Sequence, residues 1–204
     1  MNRIITLSRE FGSGGRELGR RIAEQLGIAY YDKEILTQIA EKTQLAESYV
    51  QQIIERKPPM FFPITIGQSF APISTAEFDP TYKVLRHQHE IITEMAQKSD
   101  CLIVGRCADY ILRDMNPLRL FVYAEKEHKL ARCIKNAPVG EDLSNKELEK
   151  KIAKLDKNRA EYYEFFTGKS WGDIRNYDLC INTTNFEIKD LANHIVEGIK
   201  HGSL

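Results

Sequence analysis

NRIITLSREFGSGGRELGRRIA, residues 2–23, is the stretch whose reading decides the fold. Its run Arg3-Ile4-Ile5-Thr6-Leu7 is rich in β-branched residues and long enough for one strand. Gly12-Ser13-Gly14-Gly15 then strips side chains from a tight turn. Beyond it Leu18, Ile22 and Leu26 recur every four residues with Ala23 beside them, which predicts an amphipathic helix. Strand, glycine loop and helix together aim backbone N–H groups and the positive end of a helix dipole at a bound anion. Glycine suits such a loop because it tolerates positive φ and lets phosphate oxygens approach the main chain. A glycine turn that merely feeds a core helix accounts for the same residues.

The loop departs from the phosphate-binding pattern G-x-x-x-x-G-K-[ST]. With Gly14 as the last glycine, Gly15 takes the Lys position and Arg16 the hydroxyl position. With Gly15 last, Arg16 takes the Lys position and Glu17 the hydroxyl position. The first glycine is replaced by Arg9 or Glu10 in these two registers. Arg16 offers phosphates a planar fork rather than a point charge. Neither register supplies a Ser or Thr to hold Mg²⁺.

At 204 residues the chain suits one α/β domain with a small insertion. Its 29 basic and 29 acidic residues cancel, so charge gives no pointer to nucleic acid or an anionic membrane. No apolar run approaches the ~18 residues a membrane span needs, and the start lacks a leader pattern. A cytoplasmic protein is the expectation. Cys101, Cys107, Cys133 and Cys180 show no metal or redox spacing. Cys101 and Cys180 sit in apolar runs and are expected to be buried. The five histidines are scattered, as surface residues are.

Ile28-Ala29-Tyr30-Tyr31 reads as a second strand after the helix stop Gly27, and Asp32 as the N-cap of a helix over 33–42. Helices follow over about 46–56 and 82–97. Between them, residues 57–81 carry five of the seven prolines, with Phe61, Phe62 and Phe70. A long irregular segment of that apolar content suits a packed lid or a homodimer contact better than a linker. Cys101-Leu102-Ile103-Val104 is the uninterrupted apolar run of a buried parallel strand. A short helix over 108–113, a strand over 118–124 and a helix over 125–135 come next. Ser144 and Glu147 are spaced as a capping box opening a long charged helix toward Phe165. A strand over 177–182 and a helix over 186–200 end the chain.

Five short strands separated by helices predict an α/β fold with a parallel sheet, whose ligands bind beyond the carboxyl ends of the strands. Those ends carry Gly12–Arg16, Asp32, Gly105-Arg106 and Asn182-Thr183-Thr184. Phosphoryl transfer needs positioning and cations around the moving charge more than covalent help. Arg106 can grip a phosphate bidentately or tie its strand to a neighbouring helix. Asp32 can bind an acceptor hydroxyl or amine, or serve as a plain cap. Asp109 and Glu10 are carboxylates near the same rim, available to Mg²⁺ through water. Arg132 with Lys135, and Lys150, Lys154 and Lys157, each share a helix face that solvent alone explains. Tyr162, Tyr163, Phe165, Phe166 and Trp171 form an aromatic cluster that suits a core edge.

SREFGSGGRELGRRIAEQLGIAYYDKEIL, IVGRCADYIL and RAEYYEFFTGKSWGDIRNYDLCINTT resemble segments of the cytidylate-kinase-like proteins, a branch of the P-loop nucleoside monophosphate kinases. The resemblance spans nearly the whole chain apart from roughly residues 57–80. It implies a five-stranded parallel sheet flanked by helices, an acceptor-binding insertion over about 45–97 and a lid over about 136–172. It implies ATP with Mg²⁺ as phosphate donor and a nucleotide or other small molecule as acceptor. By the same resemblance Gly12, Ser13, Gly14, Gly15 and Arg16 meet the ATP phosphates, and Glu17, next in the chain, is expected beside them. By it Asp32 and Arg106 bind the acceptor, and Arg132 and Arg159 fall near lid and helix arginines. Asp109, on the same rim, is expected beside the acceptor, and Arg16, Arg106 and Arg159 are expected to serve the transfer. The chain departs from the family in having Gly-Gly-Arg-Glu where a Lys and a hydroxyl are usual, and Val104 where an Asp precedes Gly-Arg.

Three expectations follow. The first is a kinase of CMP, dCMP or a similar acceptor, with Arg16 in place of the loop lysine. The second is a non-catalytic nucleotide-binding or regulatory protein on a kinase scaffold. The third is a kinase of another small molecule.

Overall fold

In the computed structural model, residues 2–55, 80–137 and 143–202 are described. The elements run β1 Ile4–Arg9, α1 Gly15–Leu26, β2 Ala29–Tyr31, α2 Glu34–Thr43, α3 Glu47–Glu55 and α4 Pro80–Lys98. They continue with β3 Cys101–Val104, α5 Ala108–Ile111, β4 Leu118–Tyr123, α6 Lys126–Lys135, α7 Asn145–Thr167, β5 Leu179–Asn182 and α8 Ile188–Lys200. All strand pairs are parallel and the sheet order is β2-β3-β1-β4-β5. The chain is therefore the five-stranded α/β fold its strand and helix periods predict. Among the described residues no helix is long and apolar enough to cross a membrane.

Strand alternation splits the core into two layers. Ile5, Leu7, Leu102, Val104, Leu120 and Val122 face α1 and α8, where Leu18, Ile22, Ala192, Ile195 and Ile199 meet them. Ile4, Cys101 and Ile103 face the other way, toward Ile35, Ile39, Ile91, Ile92 and Met95 of α2 and α4. Burying a Leu or Ile contributes roughly 1.5–3 kcal/mol each. Gly19 lets α1 approach the sheet, since a Cβ there would lie 3.1 Å from Leu102 Cδ2 and 3.2 Å from Leu7 Cδ1.

Several local expectations change. β1 extends two residues past Leu7, because Ser8 and Arg9 pair with Phe121 and Val122 of β4. Asp32 is not a helix N-cap: Lys33 takes that position without a side-chain cap, and Asp32 has arginine partners instead. Cys101 is fully buried, but Cys180 is half-buried because β5 is an edge strand. Phe61, Phe62 and Phe70, and the lid or dimer roles drawn from residues 57–81, lie outside the described residues apart from the start of α4. The Ser144 capping box forms, with Glu147 N donating to Ser144 Oγ and Ser144 N to Glu147 Oε2 at 3.0 Å.

Candidate active site

The loop Glu10–Gly14 joins β1 to α1 and is braced from beneath by the far end of the chain. Ser13 O accepts from Thr183 Oγ1 at 2.6 Å and from Arg132 Nη1 at 3.3 Å. Arg132 is therefore a brace rather than a solvated cation, and its Nη2 also donates to Thr183 O at 2.7 Å. Gly12 and Gly14 have φ of 77° and 80°. A Cβ on Gly12 would come within 2.8 Å of Lys129 O, and one on Gly14 within 2.7 Å of Ile188 Cδ1. Close packing against α6 and α8 thus demands these glycines in its own right.

Gly14 is the N-cap and Gly15 the first residue of α1. The last loop glycine precedes the helix in strand–loop–helix phosphate sites, so Gly14 fills that position and Gly15 stands where the lysine would be. The first-turn N–H groups of a helix have no intrahelical partner. Gly15 N finds Ser13 Oγ at 3.4 Å, and Arg16 and Glu17 follow it along a cleft of about 360 Å³. That cleft runs under α6 and α7 and is walled by Arg9, Phe11, Arg132, Asn136, Leu148 and Arg159 among others.

A smaller cavity of about 40 Å³ opens beside it at the ends of β1 and β3, lined by Ser8, Arg9, Gly105, Arg106, Arg159, Tyr162, Tyr163 and Trp171 among others. Arg9 and Arg159 line both spaces. Gly105, Arg106 and Cys107 have consecutive φ values of 70°, 59° and 54°. For the two non-glycine residues that left-handed turn costs of order 1–3 kcal/mol each. It is held by Gln88, whose Nε2 donates to Arg106 O at 3.0 Å while its Oε1 accepts from Tyr162 OH at 3.0 Å.

Cations dominate this junction. Arg16 Nε lies 2.6 Å from Asp32 Oδ2, and Arg9 Nη2 lies 3.5 Å from Asp32 Oδ1. Arg159 Nη1 donates to Arg9 O at 3.1 Å and lies 3.5 Å from Asp156 Oδ1. Burial, and next the charge of Arg159, push the Arg9 guanidinium down to about 9 against the pull of Asp32. Lys129 Nζ bridges Glu10 Oε2 at 3.1 Å and Asp156 Oδ2 at 2.8 Å. Burial opposes its charge, but Asp156 and Glu10 outweigh burial and raise its pKa. Phe11 N donates to Asp156 Oδ1 at 2.6 Å, which fixes the loop to α7.

The expected residues divide accordingly. Gly12, Gly14, Gly15, Arg16 and Glu17 line the larger cleft, with Ser13 buried behind them. Asp32, Arg106 and Arg159 gather at the junction. Asp109 is buried behind Tyr163, whose OH donates to its Oδ2 at 2.6 Å, and it lines neither space. Burial raises its pKa. Lys150, Lys154 and Lys157 are exposed, as a solvated helix face should be. Sequence reasoning missed Arg9, Lys129 and Asp156 as site residues. For Arg9 the signal was its place on the same strand face as Ile5 and Leu7.

The described residues do not fit a protein-held Mg²⁺. No group of three acidic, His or Cys side chains is placed for a metal. Ser13 Oγ donates to Glu10 O at 2.9 Å, Asp32 is held by arginines, and Glu10 by Lys129. A Mg²⁺ arriving with a nucleotide would therefore be held by phosphates and water rather than by these side chains.

A family model described as the cytidylate kinase-like family matches residues 4–185. The chain belongs to that family. No curated protein matches the sequence. Among solved structures, an uncharacterized protein from Eubacterium ventriosum is 26% identical at a TM-score of 0.70, over 97% of this chain and 98% of that one. Shikimate kinase from Acinetobacter baumannii, in complex with shikimate, is 18% identical at a TM-score of 0.54, over 100% and 96% of the two chains. Shikimate kinase from Bacteroides thetaiotaomicron is 14% identical at a TM-score of 0.57, over 98% and 99%. The shikimate kinases share the P-loop kinase fold with this cytidylate kinase-like chain; at these identities the likeness is one of fold.

Proposed function

We propose that this chain transfers the γ-phosphoryl group of ATP to a small anionic acceptor, with CMP and dCMP as the first acceptors to test. The supporting observation is the pair of adjoining spaces that share Arg9 and Arg159. The larger, at a helix N-terminus, suits a nucleotide's phosphates. The smaller admits one anionic group of the acceptor beside Arg106.

In the transfer, an acceptor oxygen forms a bond to the γ-phosphorus while the bond from that phosphorus to the β–γ bridging oxygen breaks. ADP leaves with the electron pair. A phosphate-monoester acceptor attacks through an oxygen already ionised at neutral pH, so this step requires no general base. That fits a junction rich in arginine, where the side chains stabilise charge and hold geometry. Arg16 and the loop meet the donor, Arg106 and Asp32 the acceptor, and Arg159 the phosphoryl group between them. Asp109 acts from behind, through Tyr163.

A second reading, nucleotide binding without turnover, draws support from the glycine at the lysine position. ADP production from ATP and Mg²⁺ across CMP, dCMP, UMP, AMP and non-nucleotide acids separates the two. Acceptor-dependent turnover that disappears in Arg106→Ala supports the kinase. ATP-induced stabilisation with no turnover on any acceptor supports the binding protein.

A further inference from the structure

Gly15 is kept free of a side chain by Arg9. A Cβ on Gly15 would sit 2.6 Å from Arg9 Cβ and 3.1 Å from Arg9 Cγ, and these stem atoms cannot swing aside as a side-chain tip can. At the other end of the same side chain, a Cβ on Gly105 would collide with Arg9 Nη1. Arg9 therefore lies in a channel cut by two glycines, one at its stem and one at its head. A lysine at position 15 and an arginine at position 9 exclude each other.

The buried guanidinium is poorly matched by protein. Among the described residues its carboxylate contact is Asp32 at 3.5 Å, long against the roughly 2.7–2.9 Å of a charge-assisted hydrogen bond. Arg16 holds the other Asp32 oxygen at 2.6 Å. Arg16, Arg106 and Arg159 all repel Arg9. Arg9 lines both the loop cleft, which Gly15 also lines, and the small cavity, which Gly105 lines beside its head, so it stands where a phosphoryl group would pass between them. Arg16, by contrast, has a side chain 52% exposed.

We propose that Arg9, at the end of β1, holds the donor's β- and γ-phosphates in exchange for the lysine that α1 lacks at Gly15. The cation has moved from the seventh position of the loop motif to the first, and the glycine from the first to the seventh. This deepens the kinase reading and rests on its nucleotide site.

The test is an exchange cycle: Arg9→Gln, Arg9→Gly, Gly15→Lys and the double variant Arg9→Gly/Gly15→Lys. Each is measured for melting temperature without ligand and for binding of tripolyphosphate and ADP by calorimetry. Arg9→Gln is expected to fold and to weaken tripolyphosphate binding at least about tenfold. Gly15→Lys is expected to melt below the parent, and the double variant to melt above Gly15→Lys. The double variant should also bind tripolyphosphate more tightly than Arg9→Gly, which a purely structural Arg9 would not bring about. Undiminished binding in Arg9→Gln, or a double variant no better than Arg9→Gly, overturns the exchange while leaving the nucleotide site standing. A parent chain that binds neither tripolyphosphate, ADP nor ATP overturns both.

Discussion

Asp32 joins two arginines of unequal exposure, Arg16 through Oδ2 at 2.6 Å and Arg9 through Oδ1 at 3.5 Å. The shorter contact is the weaker determinant of stability, because the Arg16 side chain is half in water and the Arg9 side chain is 10% exposed. Arg16→Ala should cost less than about 1 kcal/mol in urea unfolding. Asp32→Ala, which strips the buried guanidinium of its carboxylate, should cost about 3–5 kcal/mol. Equal costs would mean that Arg9 does not depend on Asp32.

Lys129→Met leaves Glu10 and Asp156 facing each other without the ammonium that separates them. The expected loss is about 3–5 kcal/mol of stability. Because both carboxylates anchor the loop, nucleotide-induced stabilisation should fall in the same variant. A melting temperature within a degree of the parent's would contradict this role.

Holding the charge of Arg9 costs the unliganded chain stability. Burial and then Arg159 disfavour the guanidinium, with Arg106 and Arg16 adding and Asp32 opposing. A guanidinium keeps its proton at working pH, so relief comes from a counter-anion. Tripolyphosphate should therefore raise the melting temperature of the parent more than that of Arg9→Gln. Equal shifts in the two would contradict this.

Asp109 carries the opposite sign. Burial raises its pKa despite the hydrogen bond from Tyr163, so folding disfavours its charged form. Its penalty is absent below the ordinary carboxylate value of 3.8 and complete once pH exceeds the raised one. The melting temperature of Asp109→Asn relative to the parent should therefore climb as pH increases through that window. A pH-independent difference would count against the buried acid, and lost turnover at unchanged stability would place Asp109 at the acceptor.

The fold was legible because burial imposes period. Leu18, Ile22 and Leu26 are spaced to meet the sheet, and Cys101–Val104 could be nothing but buried. Ser144 and Glu147 were legible because a capping box is local. Arg9 was not. Thr6, Ser8 and Arg9 break the apolar run of β1, and what packs against Arg9 arrives from Gly105 and Arg159, far along the chain. Lys129 looks like one more charge on a charged helix until Glu10 and Asp156 come together around it. Asp32 has a local reading as a cap and a distant one as a counter-ion, and the distant one prevails because two guanidiniums outbid two N–H groups.

The contact between Thr183 and Ser13 spans almost the length of the chain. The loop is made 170 residues before the segment that braces it. Central β1 also waits for β3 and β4, the last of which ends at Tyr123. Until residue 183 emerges, the growing polypeptide displays Gly12–Gly15 without its support. Competence to bind a nucleotide should therefore arrive abruptly, once residue 183 is in place.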